Sequence, residues 1–206
     1  SVADTDDDDI ADAVELARRT NPTAGNDRRQ DAADLLPYTP GVLALDGAAA
    51  TFAALPWQPR FDLADSWTVE AWVKADTGFA GGCVLRHAVE DAEGISANYE
   101  LAIGTDGHPY VTFVLYHNHI RYEWKAVATG EQGRVTPEAG WVHLAGVYDE
   151  PARTLTLVVN GRYQWQATVN DEPAAEGLVG VRLNRIGEEF KGRIDEVRIW
   201  NRALAM

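Results

Sequence analysis

The densest chemistry in the chain lies near its start, in Asp4-Thr5-Asp6-Asp7-Asp8-Asp9-Ile10-Ala11-Asp12-Ala13-Val14-Glu15. Counted from Asp4, carboxylates stand at positions 1, 3, 5, 9 and 12: Asp4, Asp6, Asp8, Asp12 and Glu15. Calcium takes roughly six to eight oxygens, and one turning loop with this spacing supplies them. The carbonyl of Ile10 would serve at position 7 and Glu15 would bind with both oxygens. Asp9 stands where the sharp turn usually carries Gly, a conformation Asp visits at modest cost. The competing reading of so acidic a stretch is a solvated tail.

Other chemistry-bearing residues are more scattered. His117 and His119 flank Asn118, but a third zinc ligand at suitable spacing is missing, and His-Asn-His reads better as a hairpin tip. Tyr116, Tyr122, Trp124, Tyr163 and Trp165 sit on alternating positions and would form a stacking surface for sugar rings, with burial in a core as the other reading of each. No strand-like stretch carries paired carboxylates of the kind a glycoside-cleaving site needs, so Glu100, Glu123, Glu188 and Glu189 stand as isolated acids. Ser66 and Ser96 lack the Gly-x-Ser-x-Gly context of a nucleophile, and no Gly-rich phosphate loop precedes a helix. Cys83, the single cysteine, has no intramolecular partner and is expected to fill core space.

The elements that must hold these residues follow from periodicity. Residues 1–36 read as the acidic loop plus short helices in Asp12–Arg19 and Arg28–Leu36, and 37–41 (Pro37, Tyr38, Thr39, Pro40, Gly41) as a breaker linker. From Val42 the apolar residues alternate: Trp67, Val69, Ala71 and Val73 against Thr68, Glu70, Trp72 and Lys74, then Tyr99, Leu101 and Ile103, then Val111, Phe113 and Leu115. Asp106-Gly107 and Asn160-Gly161 are hairpin dipeptides, and Asp149-Glu150-Pro151-Ala152 gives a third reversal. Roughly a dozen strands with almost no helical pattern predict an all-β sandwich of two antiparallel sheets over 42–206.

Acids outnumber bases 32 to 18, and the net charge of −14 would repel nucleic acid and anionic lipid while attracting divalent cations. No apolar run reaches the ~18 residues of a membrane span. The chain opens on Ser1 with no leader-like stretch, which leads to the expectation of a processed protein or a piece of a longer one.

Several blocks then carry a family resemblance: Leu43-Ala44-Leu45-Asp46-Gly47, Trp67-Thr68-Val69-Glu70-Ala71-Trp72-Val73, Gly140-Trp141-Val142-His143-Leu144-Ala145-Gly146-Val147-Tyr148-Asp149, and Gly192-Arg193-Ile194-Asp195-Glu196-Val197-Arg198-Ile199-Trp200-Asn201-Arg202-Ala203-Leu204. In this order they resemble the laminin-G-like, concanavalin-A-like jelly-roll domains. Leu16-Ala17-Arg18-Arg19-Thr20-Asn21-Pro22, after the acidic loop, resembles the bacterial thrombospondin-type-3-like calcium repeat. The resemblance implies a jelly roll at the cell surface or in the extracellular space that binds a glycan or a protein without catalysis. A structural subunit of a surface layer, fibre or adhesin, packing against other copies or modules, is the alternative, and a glycoside hydrolase a third. It also implies a second calcium at the sandwich edge on Asp195 with Asp46, and places Trp67, Trp72, Trp141 and Trp200 in the core.

Overall fold

A computed structural model describes residues 42–63, 65–91, 94–117, 120–170 and 181–205, without the side chains of 91, 94–97, 116, 117 and 120. The acidic loop Asp4–Glu15, the expected short helices and linker before Val42, and the Asn118-His119 tip lie outside the described residues.

The described residues form twelve strands: β1 (Leu43–Asp46), β2 (Ala53–Ala54), β3 (Trp67–Ala75), β4 (Gly82–Asp91), β5 (Gly94–Ile103), β6 (Pro109–His117), β7 (Ile120–Val127), β8 (Val142–Asp149), β9 (Thr154–Val159), β10 (Tyr163–Thr168), β11 (Val181–Ile186) and β12 (Lys191–Trp200). They form two six-stranded sheets, ordered β1-β12-β3-β8-β9-β10 and β2-β11-β4-β5-β6-β7. Every pairing among the described strands is antiparallel, as expected of an all-β sandwich. Helical geometry among the described residues is limited to the single 3-10 turns Pro59–Phe61, Glu131–Gly133 and Pro137–Ala139.

The expected hairpins are present. Gly107 turns β5 into β6 at φ +83°, and Asn160-Gly161 turns β9 into β10 with both residues at positive φ, +53° and +62°, the twist that two-residue hairpins require. Asp149 closes the reversal between β8 and β9 by accepting the Ala152 N–H at 3.1 Å.

Trp67 lies at the centre of the core, fully buried, with ring centroids 5.5 Å from Tyr99, 5.5 Å from Phe113 and 6.1 Å from Tyr148. Val69, Ala71 and Val73 continue the same face of β3, and Leu144, Leu155 and Leu157 extend it across the first sheet. Each such side chain removed from water contributes roughly 1.5–3 kcal/mol. Cys83 is buried, as expected, and burial pushes its thiol well above the usual range, so it behaves as an inert small hydrophobe.

One polar cluster among the described residues reaches into the interior around His87. His87 on β4 is 1% exposed; its Nε2 lies 2.8 Å from Asp62 Oδ1 and its Nδ1 2.5 Å from Asn184 Oδ1. Asp62 also accepts from Arg182 and from Trp57 Nε1, each at 3.1 Å. Burial opposes the charge on Asp62, but hydrogen bonds from Arg182, Trp57 and His87 outweigh it and hold the carboxyl below its ordinary range. This cluster ties the segment around Pro59–Phe61 to the inner side of the second sheet.

Three of the four tryptophans expected in the core are elsewhere. Trp72 and Trp141 are each 39% exposed and Trp200 is half-buried; only Trp67 is interior. The cause is the strand period: Trp72 shares its parity with Thr68 and Glu70, so it must face outward once Trp67 and Val69 face in.

Candidate functional site

Residues directly opposite one another across neighbouring strands share a face. Across the second sheet the register aligns Arg185 (β11), Arg86 (β4), Glu100 (β5), Thr112 (β6) and Lys125 (β7) in one row. Arg86 lies between Leu85 and His87, and Glu100 between Tyr99 and Leu101, all four of which are buried, so the row belongs to the outer face. Tyr110, two residues before Thr112, joins it from the next rung.

These side chains form one hydrogen-bonded cluster. Arg86 Nε donates to Glu100 Oε2 at 2.5 Å and its Nη1 to Glu188 Oε2 at 2.8 Å. Arg185 pairs with the other oxygen of Glu188. The Tyr110 hydroxyl donates to Glu100 Oε1 at 2.8 Å, and Lys125 Nζ stands 3.5 Å from the centre of the Tyr110 ring. Burial, reinforced by the Glu100 charge, pushes the Tyr110 hydroxyl above its usual range, so it stays a proton donor at physiological pH. Arg86, Glu100, Tyr110 and Glu188 of this cluster line an open cleft of about 800 Å³ together with Gly47, Gly81, Gly82, Thr105 and Glu189. At Gly82 (φ +145°) a Cβ would come within 2.7 Å of the Phe190 backbone, so only glycine lets this wall close.

The cleft itself presents one guanidinium, Arg86, one phenol, Tyr110, and the carboxylates of Glu100, Glu188 and Glu189, while Arg185 and Lys125 contact Glu188 and Tyr110 from outside its lining. That inventory recognises a polar ligand rich in hydroxyls, amides or a carboxylate of its own. Charged groups that are partly buried and already mutually bonded are held in place before a ligand arrives.

The residues singled out from sequence fall differently. Trp124 pairs with Phe113, and Trp165 with Leu157, both core residues, so these rings face into the sandwich. Trp124, Tyr163 and Trp165 are half-buried against the core, Tyr122 stacks on Trp124 at 6.3 Å, and Trp165 Nε1 donates to Thr129 Oγ1 at 3.1 Å. They line the inner sides of the edge strands β7 and β10, which lie against each other there, so they pack the margin where the two sheets meet rather than present an outward stacking surface. Tyr116 pairs with Arg121 on the same hairpin, and its side chain is outside the described set.

Asp46 and Asp195 are not brought together. Asp46 lies opposite Lys191, four residues along β12 from Asp195, a separation of roughly 13 Å at about 3.3 Å per residue. Each carboxylate is engaged locally: Asp46 accepts the Ala48 N–H at 2.9 Å and Asp195 the Glu196 N–H at 2.8 Å. The Ala48 N–H, with Thr51, holds the Asp46 carboxyl below its usual range. The pair therefore does not fit a shared calcium, and among the described residues no three His, Cys, Asp or Glu side chains gather as metal ligands.

The arginine cluster escaped the sequence reading because its bonds join residues 14 and 102 positions apart. A lone charged residue between two buried ones, as in Leu85-Arg86-His87 and Tyr99-Glu100-Leu101, was the available signal.

The family model for the concanavalin A-like lectin/glucanases superfamily, in its laminin-G form, matches residues 46–206. The chain belongs to this laminin-G-like family. No curated protein matches the sequence. Among solved structures, this laminin-G-like domain is similar to the K499G mutant of the NanB sialidase from Streptococcus pneumoniae (20% identity, TM-score 0.59), covering 80% of this chain but 26% of the sialidase. It is also similar to the CBM40 of the Ruminococcus gnavus IT-sialidase bound to α2,3-sialyllactose (17% identity, TM-score 0.56; 77% of this chain, 89% of that one). A third likeness is to domains LG4-5 of the mouse laminin α1 chain (15% identity, TM-score 0.51; 80% and 44%). At these identities the likeness is one of fold.

Proposed function

We propose that this laminin-G-like domain is a non-catalytic glycan-binding module acting outside the cell, and that the Arg86 cleft is its binding site. The observation that carries the proposal is the cluster of Arg86, Tyr110, Glu100 and Glu188 lining an open cleft of about 800 Å³, with Arg185 bonded to Glu188 behind it. Arg86, fixed in the cleft, offers a charged donor to a sugar bearing a carboxylate, while Glu100, Glu188 and Glu189 offer acceptors to its hydroxyl and amide groups. The R. gnavus module of similar fold was solved with α2,3- and α2,6-sialyllactose, and the proposal extends that ligand class to this chain.

Catalysis is unsupported by the same geometry. Glu100 and Glu188 both bond to Arg86, with Tyr110 and Arg185 on their remaining oxygens, an arrangement that favours a binding role for them over that of a glycosidase pair. Calcium enters the proposal at Asp4, Asp6, Asp8, Ile10, Asp12 and Glu15, on the strength of their spacing.

A glycan array of sialylated and neutral oligosaccharides, run with and without calcium, tests the reading. Sialylated glycans are expected to bind, and Arg86→Ala to lose them by at least about tenfold. Absence of any sialylated ligand, or equal binding by Arg86→Ala, overturns it.

A further inference from the structure

The outer face of the first sheet holds a different arrangement. Trp72 sits in mid-strand on β3, flanked by β12 and β8, on the side opposite the core, yet 39% of it meets solvent. Its ring lies 5.2 Å from that of His143, directly across on β8. Trp141, also 39% exposed, stands at the entry to β8, one residue before its first paired residue and two before His143. Large aromatic rings are highly buried on average, and two exposed ones, on β3 and at the entry to the neighbouring strand, are an exception that core packing does not explain.

The frame under them is rigid. Glu70, with its side chain 11% exposed, faces His143 Nε2 at 3.1 Å through one oxygen and accepts from Trp200 Nε1 at 3.0 Å through the other, with Arg198 at 3.9 Å. His143 is thereby fixed beside Trp72. At the far end of this face, Thr68 accepts the Leu204 N–H and donates to the Arg202 carbonyl, so the last residues of the chain cover that end and leave the Trp72 end open. The rim around Trp72 mixes signs: Asp195 lies opposite it on β12, and Lys74, two residues on, faces Arg193.

We infer that Trp72 and Trp141 form a second ligand site, a stacking platform for the pyranose rings of a neutral oligosaccharide, separate from the Arg86 cleft. A pyranose has an apolar C–H face that suits an indole and a ring of hydroxyls that both donate and accept. His143, Asp195 and Lys74 supply acceptors and donors around the stack. A rim of balanced charge favours an uncharged ligand over either an anion or a cation, in contrast to the cleft on the other sheet. The module is thus two-sided, each face with its own sugar chemistry.

The test is isothermal titration of the full chain with laminarihexaose, cellohexaose and mannohexaose. At least one is expected to bind, with Trp72→Ala and Trp141→Ala each weakening it by about tenfold, Trp72→Phe by only a few-fold, and Arg86→Ala by less than twofold. Thermal melts of the variants exclude unfolding as the cause, since both tryptophans are surface residues. Binding of none of the three at millimolar concentration, or undiminished binding by Trp72→Ala, overturns the inference. Sialylated glycans, read in parallel, report on the Arg86 cleft alone, so failure at one face is distinguished from failure at the other.

Discussion

The two outer faces of the sandwich solve the same problem with opposite materials. On the second sheet, charged side chains from four strands and a loop bond to one another and hold a cleft open. On the first, a buried carboxylate, Glu70, anchors His143 and Trp200, and the exposed ring of Trp72 lies against that histidine. The difference teaches that a jelly roll uses its interior only as a common footing. Each outer face presents the residues of one parity, and the other parity forms the shared core.

The comparison breaks most completely if that footing is removed. Trp67→Ala deletes the ring against which Tyr99, Phe113 and Tyr148 pack and is expected to cost about 3–5 kcal/mol, seen as a large fall in Tm and joint loss of binding at both faces. A stable variant that loses only one face would show the two to be independently supported.

Glu100→Ala sharpens the contrast. It leaves Arg86 and Tyr110 part-buried with a partner gone, at a cost of about 2 kcal/mol in denaturant melts, and should abolish acidic-sugar binding while neutral-sugar binding persists. Equal damage to both faces would contradict their separation.

Asp62→Asn acts on β4 from beneath, through His87, whose neighbour Arg86 floors the cleft. A carboxyl held low in the folded state contributes stability that is present above its unfolded value of about 3.9 and is lost as the pH falls through the lower folded value. The variant should therefore be less stable than the wild type by about 1–2 kcal/mol at pH 7, with the gap closing as the pH falls below about 4. Acid melts that run parallel down to pH 2 would refute the assignment.

The smallest effect on either face is expected from calcium. Glu15→Ala should abolish calcium uptake in a titration and Asp7→Ala should leave it nearly intact, since position 4 of such a loop supplies no ligand, while both variants keep their sugar affinities. Equal uptake by the two variants would refute the loop register.

Much of this fold is legible in the sequence. Period-two runs and the dipeptides Asp106-Gly107 and Asn160-Gly161 set strands and hairpins through local sterics alone. Trp72 shows where local reasoning and resemblance part company: the alternation of β3 puts it outside, the family block suggests the core, and the alternation holds. The Arg86 cluster was hidden for another reason. Its partners meet only after β11, β4 and β5 are laid side by side, and that order is a product of the whole topology. Likewise Trp124 and Trp165 look alike in sequence whether they face out or in, and only their partners Phe113 and Leu157 decide.

The pairing of β1 with β12 has a mechanical consequence. The chain enters the sandwich at Leu43, beside Ile194, and leaves it at Trp200, farther along the same strand in the same direction. Tension applied through the two ends would load this ladder as a zipper, with its hydrogen bonds opening one after another from Leu43 toward Asp46 instead of sharing the force. On the β1 side four residues resist, and the third of them, Leu45, plugs the core over Gly187, whereas the segment after β12 is held to β3 through the bonds of Thr68 with Arg202 and Leu204. Under load the sandwich would yield first at the β1 tab, while β3 through β10 remain folded.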